Sequence, residues 1–337
     1  MFTYIASVLA ICQTILLFMP FKITNKLFSL FVRIRYPDVP KELTYFYRDT
    51  YTCKLQQWKY LLKDYVSKKA YKEIVYSGEF GEELQFVLPF AYWHYKNGTL
   101  KSTTSAKYTK ELYFFSPEHH EVFETRTNEG NYNFELPRIL YSQDYQMKKW
   151  LAVPLKNQYK NDIYKYDKPI LIIANRYNME WDGPPVSYFD LPTLDFIINT
   201  LKQSYTIIYN RPRPGDISVD GSVTYDLKEF EWLENDHPEV LLMDNLYQEN
   251  KGKARNFNHL QLMVYANADR FLSVHGGTAT LASYFGGVNL VISKKGPEHH
   301  FNCYQKLYPQ FSGAQILHAK TEKEVRELIS SHFIPKI

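Results

Sequence analysis

Cysteine is scarce in this chain, and the positions of its cysteines exclude some classes of protein. The three cysteines, Cys12, Cys53 and Cys303, are far apart and form no Cys-x-x-Cys pair. A zinc site built from cysteines is therefore excluded, and a disulfide framework is not expected. The pattern fits a reducing compartment better than secretion.

Several signatures of catalysis are also missing. The sequence contains no P-loop, no Gly-x-Ser-x-Gly nucleophile elbow, no His-Glu-x-x-His and no Asp-x-Asp. Asp-x-Asp matters because metal-dependent nucleotide-sugar enzymes commonly use it. The pairs His119-His120 and His299-His300 do not replace it, since adjacent side chains do not easily face one ion. We therefore expect neither a metal nor a cofactor.

The chain carries only a small excess of positive charge. Its 337 residues include 40 Lys and Arg against 36 Asp and Glu, for a net charge of +4. This balance falls short of the basic stripes of a nucleic-acid-binding protein, so no nucleic-acid partner is expected. It would suit an anionic small ligand or an anionic membrane surface. With 45% hydrophobic residues, the chain is long enough for two folded domains.

Charged side chains are absent from the first 21 residues. Roughly 20 apolar residues can span a bilayer. Polar residues such as Thr3, Ser7 and Gln13 weaken a span here. A helix lying in the membrane interface and a merely buried helix remain alternatives.

The residues around this segment bear on its orientation. Basic residues follow it, at Lys22, Lys26, Arg33 and Arg35. By the positive-inside rule the segment would leave the body of the protein on the cytoplasmic side of a membrane. The glycosylation sequon that begins at Asn97 would favour a lumenal location instead. We predict a membrane-associating helix within residues 1–35.

Strand-like and helix-like segments alternate regularly from residue 168 onward. The strand-like segments are 169–174, 205–209, 239–243, 271–274, 288–293 and 315–318, and the helix-like segments are 191–201, 228–235, 258–268 and 322–332. This alternation predicts a doubly wound, Rossmann-like parallel sheet of the α/β class. We place this second domain at residues 151–337.

The preceding region, residues 36–150, begins in a similar way. A short strand at 73–76 precedes a turn and a helix over 82–95, which ends at Asn97-Gly98. Residues 112–115 are strand-like, and the Lys- and Tyr-rich stretch 144–167 is interpreted as the connection between domains. We therefore predict a first Rossmann-like domain here, with less regular patterning than the second.

The segment from Arg270 to Ser293 is the most informative in the chain. It predicts a buried strand, a tight turn at Gly276-Gly277, a short helix with Thr278 as its N-cap, and another buried strand. Free backbone N–H groups at the start of that helix would attract an anion, helped by the hydroxyls of Thr278 and Thr280.

The ends of the neighbouring strands add polar side chains. Ligands of open parallel sheets bind beyond the carboxyl ends of the strands. Asn175-Arg176, Arg211 with Arg213, and His275 each follow a predicted strand. Guanidinium groups suit a diphosphate because their donors pair bidentately with its oxygens. Alternatively, Arg211 and Arg213 are ordinary loop residues and His275 is a packed core histidine.

The first domain offers acidic residues at the corresponding position. The turn Ser77-Gly-Glu-Phe-Gly81 follows its first strand, and it is not a Gly-x-Gly-x-x-Gly motif. Glu79 or Glu82 could act as a general base across an interdomain cleft. They could equally do no more than stabilise the N-terminus of a helix.

The residues from Phe271 to Gly287 resemble a unit of the GT-B glycosyltransferases. The sequence Phe-Leu-Ser-Val-His-Gly-Gly-Thr-Ala-Thr-Leu-Ala-Ser-Tyr-Phe-Gly-Gly is similar to the donor-binding strand, turn and helix of their fucosyltransferase-like branch. In that branch an arginine after the first strand of the second domain contacts the nucleotide diphosphate, and Arg176 matches its position. The branch's His-Val-Arg-Arg-Gly-Asp type of motif is replaced here by Asn-Arg-Tyr-Asn-Met-Glu-Trp-Asp, which leaves the donor open.

The resemblance implies two Rossmann-like domains with a cleft between them and a metal-independent glycosyltransferase in surface-glycan assembly. Its partners would be a nucleotide-sugar donor, a glycan or glycolipid acceptor and a membrane surface. Catalysis would involve Arg176, His275 and a base chosen from Glu79, Glu82, Glu180 and Asp182. The donor would contact Asn175, Arg211, Arg213, Gly276, Gly277, Thr278, Ala279 and Thr280. Rival interpretations are another nucleotide-sugar enzyme and a non-catalytic, membrane-anchored scaffold.

Overall fold

A computed structural model describes residues 21–127, 135, 149–180, 183–211 and 223–335. The uncharged segment 1–21 lies outside this part except for its last residue, and Asp182 and Arg213 lie outside it entirely. Within the described ranges, no helix combines the length and the apolar character needed to cross a membrane.

The α-helices are numbered in chain order. They are α1 (Phe21–Arg35), α2 (Thr44–Lys59), α3 (Phe80–Glu82), α4 (Leu88–Asn97), α5 (Leu155–Tyr159), α6 (Leu191–Leu201), α7 (Glu229–Asp236), α8 (Met243–Glu249), α9 (Phe257–Ala266), α10 (Gly277–Ser283), α11 (Pro297–His300), α12 (Cys303–Lys306) and α13 (Glu322–His332). Short 3₁₀ helices span Lys41–Leu43 and Tyr308–Phe311, and π-helical turns span Lys63–Ser67 and Glu83–Val87.

The strands form two parallel sheets. They are β1 (Lys72–Val75), β2 (Leu100–Ala106), β3 (His119–Phe123), β4 (Ile170–Ala174), β5 (Thr206–Asn210), β6 (Leu241–Leu242), β7 (Arg270–Val274), β8 (Val288–Ile292) and β9 (Gln315–Ala319). The first sheet has the order β1-β2-β3, and the second has the order β6-β5-β4-β7-β8-β9. The chain is therefore of the mixed α/β class, as predicted.

Strand β4 shows why the second sheet is covered on both faces. All five of its residues are buried. Leu171 and Ile173 belong to one core cluster, with residues of α6 and α13. Ile172 and Ala174 belong to a second cluster, with residues of α9 and α10. Successive side chains of a strand point to opposite faces, so an unbroken apolar run fits only a sheet covered by helices on both sides.

The N-terminal sheet is smaller and less regular. Strand β1 leads through the helical stretch 80–97 to the parallel strand β2, and a Gly98 with φ of +77° ends that stretch. The predicted helix and its glycine cap are confirmed. Residues 112–115 were predicted to be strand-like, but they form a turn. Leu112, Tyr113 and Phe115 are buried there, so the apolar pattern reflects packing outside the sheet instead of strand pairing.

The two sheets are joined by direct packing between α3, the following π-helical turn, and α10. A Cβ atom at Gly81 would lie 3.2 Å from the amide nitrogen of Gly277. The Gln85 side-chain amide donates to the Thr280 hydroxyl at 3.2 Å, and the Tyr284 hydroxyl donates to the Leu84 carbonyl at 2.7 Å. These contacts bring the turn after β1 against the turn after β7.

Candidate functional site

The order of the second sheet defines where a ligand would bind. Numbered from β4, its strands run 3-2-1-4-5-6, the order of a dinucleotide-binding Rossmann fold. The strands are parallel, and β5 and β6 are added on one side of β4 whereas β7, β8 and β9 are added on the other, so the order of strands reverses between β4 and β7. The connections after these two strands leave on opposite sides, so a crevice forms beyond their carboxyl ends.

Arg176 lies beside this switch point. It follows β4, is half-buried, and its Nη1 atom lies 3.1 Å from the position that a Cβ atom would take on Gly276. Gly276 has a φ of +85° and no side chain, so both the turn and the close approach of the guanidinium depend on glycine. Among the described residues the guanidinium forms no hydrogen bond or ion pair, although it lies close enough to influence Glu180 and Glu298.

A buried carboxylate and histidine connect the two strand ends. The Nε2 atom of His275 lies 3.2 Å from the Oε2 atom of Glu180, and both side chains are almost fully buried. Burial alone would raise the pKa of the Glu180 carboxyl. The hydrogen bond to His275, the charge that His275 carries when it is protonated, and the charge of Arg176 outweigh that effect and lower the pKa below its ordinary value.

A second carboxylate, Glu298, faces the same charges. It lies in α11, is 7% exposed, and its Oε2 atom has no hydrogen-bond partner in the described part of the chain. Burial raises its pKa, the nearby Glu180 raises it further, and His275 and Arg176 partly oppose the shift. Glu298 was not among the site residues predicted from the sequence. Applying the strand-end rule to β8 as well would have pointed to the loop and short helix that follow it.

Asn175 shapes the loop rather than facing open space. Its side-chain amide donates to the Phe189 carbonyl and the Tyr209 hydroxyl, and its Oδ1 accepts from the backbone N–H groups of Arg176 and Phe189. The side chain thereby fixes the backbone at Arg176. In this conformation its hydrogen-bonding capacity is used within the protein.

Arg211 is also engaged. Its guanidinium forms a buried ion pair with Glu229 at the start of α7 and donates to the Tyr225 carbonyl. The Arg211 side chain is therefore held against α7, and its guanidinium is used within the protein.

The glycine turn differs in part from the prediction. Helix α10 begins at Gly277 with Gly276 as its N-cap residue, so Thr278 is not the N-cap. The Thr278 hydroxyl instead donates to the Val274 carbonyl, and the Thr280 hydroxyl donates to the Gly276 carbonyl at 2.9 Å. Ala279 is fully buried.

The opposite side of the Gly277 turn is occupied by the first half of the chain. A Cβ atom on Gly277 would lie 3.0 Å from the ring of Phe80. Glu79 is exposed, and the Glu82 carboxylate accepts from the Tyr76 hydroxyl at 3.2 Å. Both acids therefore flank Phe80, which contacts the turn after β7.

The acid next to them in sequence, Glu83, has a different environment. It is fully buried, pairs with Arg126 at 2.6 Å and accepts from the Tyr113 hydroxyl at 2.8 Å. Because its carboxylate is buried and paired, Glu83 belongs to the polar interior of the N-terminal half of the chain.

The histidine pairs have protein partners. His119 contacts the hydroxyls of Thr103 and Thr109, His299 contacts Ser293, and His300 contacts Tyr47. Among the described residues, no group of three or more His, Cys, Asp or Glu side chains is arranged to hold a metal ion.

Comparison with known proteins gives distant similarity to solved structures. No family model matches the sequence, and no curated protein matches it. The chain is similar to a solved structure described as the glycosyl transferase family 9 from Veillonella parvula DSM 2008, with 11% sequence identity and a TM-score of 0.46. The similarity covers 80% of this chain and 91% of that one. A similarity at this level does not establish a shared activity.

Proposed function

We propose that this protein is a metal-independent glycosyltransferase that moves a sugar from a nucleotide-sugar donor to a glycan or glycolipid acceptor. The observation that carries the proposal is the Arg176 guanidinium, which has no partner among the described residues at the topological switch point. It lies beside the buried pair of Glu180 and His275. The resemblance of the Phe271 to Gly287 segment to donor-binding units supports the same reaction class.

Arg176 would stabilise the leaving group. When a glycosidic bond to a nucleotide diphosphate breaks, negative charge develops on the phosphate oxygens. A guanidinium placed in advance, with no partner among the described residues, can bind those oxygens bidentately and needs no reorganisation. The Asn175 side chain accepts hydrogen bonds from the backbone N–H groups of Arg176 and Phe189. These bonds would hold the backbone at Arg176, and with it the guanidinium, in place.

The Glu180 and His275 pair would handle the proton of the acceptor hydroxyl. A carboxylate bound to one ring nitrogen fixes the orientation and tautomer of an imidazole. The low pKa of Glu180 keeps it ionised near neutral pH. The pair then resembles the carboxylate-oriented histidines that serve as general bases. Glu79 and Glu82 remain alternative bases from the first half of the chain.

The test compares the wild-type protein with Arg176→Ala and with a control, Arg326→Ala, at a half-buried arginine of α13 that donates to the Pro192 carbonyl outside the proposed site. Thermal unfolding is recorded with UDP, GDP, CMP or ADP, each with and without EDTA. A ligand that binds only the folded state at about 100 times its Kd stabilises it by about 2.7 kcal/mol. We expect one nucleotide to stabilise the wild type and Arg326→Ala, with or without EDTA, and not Arg176→Ala.

Transfer is then measured as nucleotide release from the matching sugar donor. Stabilisation without release would favour the non-catalytic scaffold. Stabilisation that disappears with EDTA would contradict the metal-independent reaction. Equal stabilisation and release in Arg176→Ala would overturn the role given to that residue.

A further inference from the structure

Helix α1 exposes an apolar stripe. Ile23, Leu27, Leu30 and Ile34 are spaced four, three and four residues apart, so they share one helix face. Leu30 is 57% exposed and Ile34 is 74% exposed. Phe31, beside this stripe, is 47% exposed. Large apolar side chains exposed along a whole helix face indicate an interaction surface.

A cationic stripe runs beside the apolar one. Lys22, Lys26 and Arg33 lie four and seven residues apart, which places them together on the neighbouring face of α1. All three are exposed, and they form no ion pair within the described ranges. An apolar face bordered by lysine and arginine is the pattern of a helix that lies in a membrane interface.

The remaining face of α1 is the one that packs on the protein. Thr24 and Val32 are buried, and the rings of Phe28 and Phe31 contact Tyr51 of α2 at centroid distances of 6.1 and 5.1 Å. Tyr36, after α1, contacts Tyr47 at 5.0 Å, so the two helices run antiparallel. The apolar and cationic stripes therefore point away from a face that is already fixed.

Helix α2 adds a third cation and a concave surface. An open groove between the helices is lined by Asn25, Lys26, Ser29, Leu30, Arg33 and Arg48, and the Arg48 guanidinium also pairs with Asp49 at 3.2 Å. Two lysine or arginine side chains of α1 and one of α2 thus surround a space beside the apolar stripe. The positive charge of this open groove suits an anionic phosphate group.

We propose that the stripes of α1 and the groove beside them bind the surface of a bilayer that contains anionic phospholipids. Leu30 and Ile34 enter the boundary between headgroups and acyl chains, while Lys26, Arg33 and Arg48 contact lipid phosphates. The cations are complementary in charge to anionic lipid headgroups. They also border an exposed apolar face, which a free anion would leave in water and a bilayer surface would bury. The proposal does not depend on the transferase reaction.

The test uses the full-length protein and sedimentation with large vesicles. One set contains phosphatidylcholine alone, and the other also contains phosphatidylglycerol. Each cation near an anionic surface raises the partition coefficient onto the vesicles about fivefold. The double variant Lys26→Gln/Arg33→Gln should therefore have a partition coefficient about 25-fold lower than that of the wild type. Leu30→Gln with Ile34→Gln should lower it at least about tenfold through lost apolar burial. High salt should weaken wild-type binding to the anionic vesicles.

The control combines Val122→Gln and Lys323→Gln, which replace an exposed apolar residue of β3 and an exposed cation of α13. It should bind as the wild type does. Unchanged binding of both stripe variants would overturn the proposal and assign membrane attachment to residues 1–20. Loss of thermal stability in the stripe variants, without loss of vesicle binding, would overturn it as well, because the stripe would then be covered within the protein.

Discussion

The dipeptide Asn-Arg occurs at the carboxyl ends of two adjacent strands, and its arginine has different partners at the two positions. Strand β4 is followed by Asn175-Arg176, and Asn210-Arg211 stands at the end of β5, its neighbour in the sheet. Arg211 is buried and paired with Glu229, whereas Arg176 has no partner among the described residues. The same dipeptide at the same edge of the sheet thus gives one arginine in a buried ion pair and one whose guanidinium forms no ion pair within the described ranges.

The difference comes from the element that follows each strand. After β5 the chain returns through α7, whose first residue, Glu229, is fully buried and needs a cation. After β4 the buried acid is Glu180. Its partner is His275, which lies in the turn after β7, the other neighbour of β4 in the sheet. Neither acid pairs with Arg176, which lies against the glycine turn. Being next to a strand end does not by itself make an arginine a ligand-binding residue.

Arg211→Ala should have the largest effect on stability. The substitution leaves Glu229 buried without its cation, and breaking such a pair costs about 3–5 kcal/mol. Urea unfolding would measure the loss. Arg176→Ala is the matched comparison, and it should change the free energy of unfolding by less than about 1 kcal/mol because it breaks no ion pair in the described part of the chain. Equal losses in both variants would remove the distinction between the two arginines.

Arg176→Ala should have the largest effect on the proposed reaction. Removing one preorganised group that stabilises transition-state charge lowers turnover about 100- to 1000-fold. Arg176→Lys should recover only part of that loss, since an ammonium group cannot pair bidentately with phosphate. Nucleotide release from the donor is the measurement. Full activity in Arg176→Lys would show that a point charge is sufficient there.

Much of the second sheet could be predicted from the sequence, because its signals are local. Apolar runs covered on both faces, separated by helical segments, predicted β4, β5 and β7, and α13 begins and ends where expected. Strand β6 was harder. It was predicted over residues 239–243, but only Leu241–Leu242 pair, because α8 starts at Met243. The helical segment at 243–249 had no periodic signal of its own.

The site was predicted less completely, because its residues meet through tertiary contacts. Arg176 and His275 were recognised from their positions after strands. The pairing of His275 with Glu180 joins residues 95 positions apart, and the partner of Arg211 lies 18 positions away. No local pattern states which acid pairs with which base. Glu298 was missed for a different reason, because it lies in the short helix after β8 and the strand-end rule was not applied to that strand.

Gly276→Ala should separate local backbone strain from the effect on Arg176. Gly313→Ala is the control, because Gly313 also has a positive φ, of +79°, but has open space where a Cβ would be. Each substitution forces an unfavourable backbone conformation that costs about 1–3 kcal/mol. Only the methyl group at Gly276 would push against the Arg176 guanidinium. Both variants should unfold more easily in urea, and only Gly276→Ala should also lose nucleotide binding. Equal nucleotide binding in the two variants would contradict the prediction that the close approach of Arg176 to Gly276 is needed for binding.

The two buried acids of the site should respond to pH with opposite signs, and this is the smallest effect we predict. The pKa of Glu180 is lowered from its ordinary value of 4.5. Ionised Glu180 therefore adds stability that is present above about pH 4.5 and is lost as the pH falls through its folded-state value. Glu180→Gln should be less stable than the wild type at neutral pH, and the difference should shrink in acid.

Glu298 should behave in the reverse way because burial raises its pKa above 4.5. Its contribution is fully present below the pKa of the unfolded chain and is lost as the pH rises through the folded-state value. Glu298→Gln keeps a neutral side chain at every pH, so its stability relative to the wild type should increase from pH 4 toward neutral pH. Urea unfolding of both variants across that range tests the pair. Parallel trends for the two acids would contradict the view that the Glu180 side chain holds a charge while Glu298 favours its neutral form.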